Sequence, residues 1–516
     1  MALYLPGLSG LLGVAVTWGI GAVLLLIGSA VASTRAAPEI RIAAGWGALC
    51  VVLTLWGVFL PQSLRIPAVA VMAVALAAQL LPGRRLTRAD GVALGRLLLV
   101  TLPLWAVMSP VRPSQVDTFL NLLPNADYLV DYARLPTASL PPSFSFIPAA
   151  PYNTQFLAFL GSLVWPDYPA AGMSLVNVML RLLGGLAIAR ALARGAAPGW
   201  GLTALGTLLV TLLDPGFVPR FDFSAYGETA LAVTALLSAC LFVDARRAPL
   251  RGVELALILA AMINTKQSGI GLVLAVALAA IVTGVVERGA GWRRLAGRVV
   301  LILIPAAVLY AVWRYFAAHA GVAELEPLPF DKWNWAVLPA TFAGIAGSIA
   351  EKPVYFAAEI ASFLCLGVLL RRLGWSQATR FLAFNAAAFF LYNGFLVVTY
   401  IAHFSPEMSA EAHSYFRYNT HLSLVLVLAL ALAARELALP FWSGPRVRQA
   451  APALILLATL LAPPVLAERL RFDIEMPQPL LWDLAAALKP YLKDGGRLAL
   501  LLPGDNGEIG TLLDDY

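Results

Sequence analysis

Residues 253–286 read VELALILAAMINTKQSGIGLVLAVALAAIVTGVV, two apolar runs separated by a short polar stretch at 264–269. Arginines lie beyond both ends of this segment, with Arg251 before it and Arg288 and Arg293 after it. In a membrane protein such basic clusters mark the cytoplasmic side. Both ends then belong on one side, and the chain must turn back at 264–269. The first run rises only about 18 Å for about a dozen residues, so we expect Lys266 to lie in a recessed cavity.

The composition of the whole chain supports a membrane environment. Of its 516 residues, 60% are hydrophobic and 13% charged, and the mean hydropathy is +0.80. Soluble proteins carry about 25% charged residues. The net charge of +7 is typical of nucleic-acid-binding proteins too, but here Lys and Arg form short clusters between apolar runs. The sequence therefore predicts an all-α polytopic membrane protein and no nucleic-acid partner.

A helix that crosses a hydrocarbon core of about 30 Å needs about 20 residues. We predict about fourteen spans on this basis, near 8–33, 42–60, 66–81, 95–110, 168–193, 200–213, 228–244, 253–264, 269–286, 299–317, 354–371, 380–402, 417–435 and 449–467. Under strict alternation all the arginine clusters fall on one side, which the positive-inside rule makes cytoplasmic. They include Arg84, Arg85, Arg88, Arg190, Arg194, Arg246, Arg247, Arg251, Arg371, Arg372, Arg435, Arg446 and Arg448. The N-terminus and the tail after the last span are then predicted outside.

The unusual polar residues collect in the predicted outer loops, at 109–153, 214–228, 264–269, 326–335 and 403–418. Ionisable side chains beside apolar helix ends are costly unless they serve a purpose. This asymmetry favours an active face on the outer side. In the first loop, hydrophobic residues at 119–123 and 128–130 predict two short amphipathic helices in the interface.

Asp117, in the sequence Gln-Val-Asp-Thr-Phe of the first outer loop, is open to two interpretations. A carboxylate beside apolar walls is a good general base for a hydroxyl nucleophile. An aspartate before an apolar helix is also a common N-cap. The spacing alone does not decide between these two roles.

Four candidate cations, Arg220, Lys266, His413 and Arg417, lie at the outer ends of spans. Together they suit a phosphate or pyrophosphate, which Arg binds through its fork and Lys as a point charge. Snorkelling to the headgroups is the alternative, and we keep it for Arg314. Asp222 and Glu228 could instead pair with Arg220. The spacing of His403, Glu407, Glu411 and His413 matches no established metal motif.

The tail at 468–516 reads as a small external cap. It is predicted to contain a helix at 478–492 and a strand at 497–502, followed by PGDNGEIG at 503–510. A dinucleotide-binding unit needs a further helix and strand after such a loop, and too few residues remain. A turn is the better interpretation.

Several motifs, in this order, resemble the GT-C superfamily, polytopic glycosyltransferases that use polyprenyl-phosphate sugars. They are VDTFLNLLPNADYL at 116–129, PPSFSF at 141–146, PYNTQFLAFLGSL at 151–163, SAYGE at 224–228, NTKQSG at 264–269 and HSYFRYN at 413–419. The resemblance covers residues 95–467, the predicted catalytic core. It leaves 1–94 as a three-span addition and 468–516 as the cap.

The resemblance implies roles for individual residues. It makes Asp117 the catalytic base, and Lys266 and Arg417, with Arg220 and His413, the ligands of the donor phosphate. Residues implied to line the substrate site are Asn121, Gln267, Tyr226, Glu228, Tyr415 and Tyr418. Thr118 stands where the superfamily often has a second acidic residue, so no metal ligand is predicted, no cofactor is definite, and a divalent cation stays open.

The function implied is inverting transfer of a sugar from a polyprenyl-phosphate donor to a hydroxyl of a glycan, lipid or protein. The expected place is the extracytoplasmic face of the bacterial cytoplasmic (inner) membrane. One alternative is a lipid-linked polysaccharide ligase or polymerase with a pyrophosphate-linked donor. The other is a flippase or transporter, although we find no internal repeat and the charges gather at one face rather than at the midplane.

Overall fold

A computed structural model describes residues 6–81, 84, 86–244, 251–287, 292–438 and 445–491. Throughout this part of the chain the regular secondary structure is helical. Nine of the described helices are long and apolar enough to cross a membrane by length and composition, and five shorter apolar helices accompany them. The chain is thus a polytopic all-α membrane protein. The predicted strand at 497–502, and Arg85, Arg246, Arg247 and Arg288, lie outside the described residues.

The α-helices follow one another along the chain, with long connections at 133–152 and 320–337. They are α1 Leu8–Val31, α2 Pro38–Phe59, α3 Arg65–Ala78, α4 Arg88–Met108, α5 Leu123–Tyr132, α6 Asn153–Ser162, α7 Tyr168–Leu192, α8 Trp200–Thr211, α9 Pro219–Asp222, α10 Glu228–Asp244, α11 Gly252–Ile263, α12 Gly269–Val286, α13 Trp292–His319, α14 Leu338–Glu351, α15 Pro353–Leu373, α16 Gln377–His403, α17 Pro406–Ala410, α18 Tyr415–Ala438, α19 Pro445–Val465, α20 Ala467–Leu470 and α21 Gln478–Leu488. Each predicted span coincides with one of these helices. The number of them that cross the bilayer stays a prediction.

The predicted break between residues 253 and 286 is present. Helix α11 ends at Ile263 and α12 begins at Gly269. The side chain of Asn264 donates to Cys50 Sγ and Thr54 Oγ1 of α2, at 3.1 Å each. These bonds tie the turn to α2 at the depth where the twelve-residue α11 ends.

Two helical elements stand where two short amphipathic helices were predicted in the first long loop, and no break separates them. A π-helical turn, Thr118–Leu122, runs directly into α5, so the apolar residues form one continuous helical segment. Phe119 and Leu129 of this segment are buried. The apolar side chains therefore pack against protein.

Helices α1 and α2 are packed into the same hydrophobic core as the rest of the bundle. Two glycines of α2 allow this close packing. A Cβ at Gly45 would collide with the carbonyl oxygen of Leu24 in α1, and one at Gly47 with that of Leu257 in α11. Small residues at helix crossings are typical of membrane bundles.

The bundle has two distinct ends, which α10, α16 and α18 connect. Arg417 at the start of α18 and Arg435 near its end are about 27 Å apart at 1.5 Å per residue. Described arginines of the predicted clusters gather at the second end, where Arg190, Arg194, Arg251 and Arg435 line one cavity. We call this the arginine end and the opposite one the site end.

Candidate functional site

A cavity of about 610 Å³ opens at the site end. Its walls come from the start of the π-helical segment, the turn between α11 and α12, the end of α16 and the start of α18. Eight of the residues predicted for the site line it: Asp117, Asn121, Tyr226, Lys266, Gln267, His413, Arg417 and Tyr418. We call it the site cavity.

Arg417 joins the two acidic residues of the site. Its Nη2 lies 2.9 Å from Asp117 Oδ2 and its Nε 2.6 Å from Glu228 Oε1. The ammonium of Lys266 lies 3.2 Å from the same Glu228 oxygen. Two cations and two carboxylates are thus linked in one network, although they come from four segments far apart in sequence.

The two carboxylates of this network differ in exposure. The Glu228 side chain is fully buried, whereas that of Asp117 is 42% exposed. A buried carboxylate is tolerated because cations compensate it, and Glu228 has two. Its Oε2 has no hydrogen-bond partner among the described residues. Glu228 therefore holds Arg417 and Lys266 from the buried side of the site. Asp117 is the carboxylate that a ligand can reach.

The structure speaks against one of the two interpretations of Asp117, the N-cap, and its role as a general base stays a prediction. Asp117 stands at the N-cap position, but its side chain makes no capping hydrogen bond in the described chain and turns to Arg417 instead. Its backbone N–H donates to the Tyr226 hydroxyl at 3.2 Å. Burial, and secondly the charge of Asp117, raise the pKa of Tyr226, so this hydroxyl stays protonated.

Tyr226 is held in place by α7. The side chain of Asn177 donates to the carbonyl oxygens of Ser224 at 2.6 Å and Tyr226 at 2.7 Å. The Tyr226 ring in turn lies under the Arg417 guanidinium, 4.2 Å from the ring centroid. This contact adds a cation–π attraction that orients Arg417 toward Asp117.

The loop before α10 is held by ion pairs to Arg181, a residue that the sequence analysis did not single out. This fully buried arginine in α7 bonds Asp214 and Asp222 at 2.7 Å each. Burial raises the pKa of Asp222 to about 7, against the lowering effect of Arg181. The expected pairing of Asp222 or Glu228 with Arg220 is therefore wrong. A basic residue inside an apolar span is costly without a partner. The position of Arg181 within the predicted span 168–193 was therefore a signal in the sequence that it has an acidic partner.

Three predicted residues lie elsewhere. Arg220 is exposed at the surface outside the cavity, with its guanidinium 5.3 Å from the Phe221 ring. Tyr415 is buried and stacks on Phe356 with 6.0 Å between ring centroids. Glu228, predicted to line the substrate site, lies beneath it.

Arg314 was expected to snorkel, and this expectation is wrong. It lines the site cavity and forms an ion pair with Glu324. Burial raises the pKa of Glu324 in spite of this partner. Gln267 donates to the same carboxylate at 3.1 Å and to the Leu325 carbonyl at 2.7 Å. Arg314 and Trp313 line the cavity on the side of α13.

His403 also lines the cavity, as does His413. Among the described residues, no group of three or more His, Cys, Asp or Glu side chains could hold a metal ion. The functional groups that the cavity presents are the Asp117 carboxylate, several cations and aromatic rings.

No protein-family model matches the chain, and no curated protein matches it significantly. The contacts described above are therefore the basis for any functional assignment.

Proposed function

We propose that the chain is a membrane glycosyltransferase of the GT-C type, which transfers a sugar from a polyprenyl-phosphate donor to an acceptor hydroxyl. The contact between Arg417 and the exposed carboxylate of Asp117 carries this proposal. It places a proton acceptor directly beside a cation suited to phosphate, and Lys266 lies in the same network.

The reaction is a single displacement. Asp117 accepts the proton of the acceptor hydroxyl, whose oxygen attacks the anomeric carbon of the donor sugar. The bond from that carbon to the phosphate oxygen breaks, and the polyprenyl phosphate leaves with the electron pair. One displacement inverts the anomeric centre. Lys266 and Arg417 stabilise the negative charge that develops on the leaving phosphate.

The Arg417–Asp117 ion pair suggests an order of events. Without donor, Asp117 occupies one nitrogen of the guanidinium. A bound donor phosphate competes for that nitrogen and releases the carboxylate to accept a proton. Lys266, one-third exposed, and His413 are placed to take further phosphate oxygens.

The donor's lipid tail has a route to the site through α16. Phe395, Leu396 and Val398 line the cavity, and Val398 is 44% exposed. An isoprenoid chain in the bilayer would contact this apolar wall while its phosphate reaches the cations. In this proposal the site end faces the extracytoplasmic side of a bacterial cytoplasmic membrane, and the acceptor arrives from there.

Purified protein with radiolabelled polyprenyl-phosphate sugars provides the test. We expect Asp117→Asn to lower turnover about a hundredfold or more while donor binding is retained. Lys266→Ala should weaken donor binding. Asp131→Asn is the matched control, because Asp131 is an exposed carboxylate of the same loop.

Equal product from wild type, Asp117→Asn and Lys266→Ala would refute the proposal. Transport of the donor that persists in Asp117→Asn without sugar transfer would identify a flippase. Turnover only with pyrophosphate-linked glycans would identify a ligase or polymerase.

A further inference from the structure

A second cavity, of about 710 Å³, lies at the arginine end of the bundle. Its walls are the connection between α1 and α2, the ends of α7 and α18, and the starts of α4 and α16. We call it the arginine cavity. Arg435 in this cavity and Arg417 in the site cavity are 18 residues apart on α18, a rise of about 27 Å, so the arginine cavity is a distinct site.

The lining of this cavity is strongly basic. Six arginines face three carboxylates there: Arg35, Arg41, Arg190, Arg194, Arg251 and Arg435, with Glu39, Asp90 and Glu436. Each carboxylate has its own partner among them, because Arg41 pairs with Asp90, Arg190 with Glu39, and Arg435 with Glu436. The three ion pairs leave Arg35, Arg194 and Arg251 without a carboxylate partner in the described part of the chain.

One further feature presents a donor that protein groups do not satisfy. Arg41 is 3% exposed, and its Nε has no hydrogen-bond partner among the described residues.

We propose that the arginine cavity binds a phosphate-bearing ligand. The positive-inside rule explains why arginines lie at this end, but it does not require them to surround a cavity. The volume falls in the range of about 300–1,000 Å³ typical of small-molecule sites. Guanidinium groups bind phosphate oxygens in pairs, and three of them are not engaged by carboxylates. A phospholipid headgroup and a soluble phosphorylated compound share this chemistry.

Binding there would connect separate parts of the fold. Arg35 precedes α2, Arg194 follows α7, and Arg251 precedes α11. An anion held by all three would bridge these helix ends, so its binding is expected to raise the unfolding temperature of the protein as well. This inference is independent of the chemistry proposed at the site end.

The test compares the full-length protein with the double variant Arg35→Gln/Arg194→Gln. Neither side chain has a hydrogen bond or ion pair in the described chain, so the fold should survive. Arg371→Gln/Arg372→Gln is the matched control, since it removes the same charge from exposed positions at the end of α15. Arg251→Gln serves as a second test variant if the double variant does not elute as a single species.

Two probes distinguish the two sources of phosphate. Pyrophosphate is titrated calorimetrically into detergent-purified protein, and phosphatidylglycerol retention is counted by native mass spectrometry from nanodiscs of equal parts phosphatidylcholine and phosphatidylglycerol. For the probe that binds, we expect affinity to fall about tenfold or more in the test variant, with the control unchanged. A loss confined to pyrophosphate supports a soluble ligand, and one confined to the lipid supports a headgroup. Absence of binding, or an equal loss in test and control variants, would overturn the proposal.

Discussion

At the scale of single residues, Glu228 determines the electrostatics of the site cavity. It is the buried counter-charge that Arg417 and Lys266 share through one oxygen. Without it the two cations would repel each other in a partly buried position. The sequence drew attention to Glu228 as a candidate lining residue, but its position beneath the cations depends on contacts between α10, α18 and the turn at 264–268.

We expect Glu228→Gln to destabilise the protein by about 3–5 kcal/mol, the usual cost of removing one partner of a buried ion pair. Thermal unfolding in detergent measures this change. Glu436→Gln is the control, because that carboxylate pairs with Arg435 in a partly exposed position, where a pair contributes about 0–1 kcal/mol. Equal unfolding temperatures for the two variants would contradict the role assigned to Glu228.

At the scale of helices, the break between α11 and α12 brings Lys266 into the site. Its position could be predicted because arginine clusters on both sides demanded a reversal, and one polar stretch was available for it. The bonds from Asn264 to α2 could not be predicted, since they join residues more than 200 positions apart. The ion pairs of Arg181 could not be predicted either, because they also join separate elements, with partners 33 and 41 positions away after α8.

Asn264→Ala should loosen this turn. It removes two side-chain hydrogen bonds and leaves the Thr54 hydroxyl without this partner, which we expect to cost about 1–3 kcal/mol. Thermal unfolding is the measurement, with donor affinity as a second readout because Lys266 is two residues away. Thr137→Ala, which removes an exposed hydrogen bond to Ser139, should change stability by less than about 0.5 kcal/mol. A similar shift in both variants would show that the bonds to α2 do not hold the turn.

At the scale of the whole molecule, the two cavities divide the bundle into an end with mixed charges and an end dominated by arginine. Alternation of spans predicted this division, because each crossing carries the next loop to the opposite end. Composition also predicted the helices, because an apolar run of this length has few conformations other than a helix in which its backbone is hydrogen-bonded inside a bilayer. The cavities themselves arise from packing between distant helices, which no local pattern encodes.

Membrane orientation can be tested by labelling single cysteines with an impermeant maleimide in intact cells. Ser139→Cys in the first long loop of the site end should react from outside. Ala196→Cys at the arginine end should react only after permeabilisation. Both positions are exposed. The result therefore depends on which side of the membrane the reagent reaches, and not on burial of the cysteine in the protein. The reverse pattern would place the site end in the cytoplasm.

The short length of α11 affects the free energy needed to bring the phosphate of a membrane lipid to the site. Its twelve residues rise about 18 Å, against about 30 Å for a hydrocarbon core, so the predicted topology puts the turn that carries Lys266 below the headgroups on its side. Each methylene drawn from the bilayer into water costs about 0.8 kcal/mol. A site at the membrane surface would require several of them to leave with the phosphate. Under the proposed function, cations held at this depth let the polyprenyl chain of the donor stay at its equilibrium depth during the transfer.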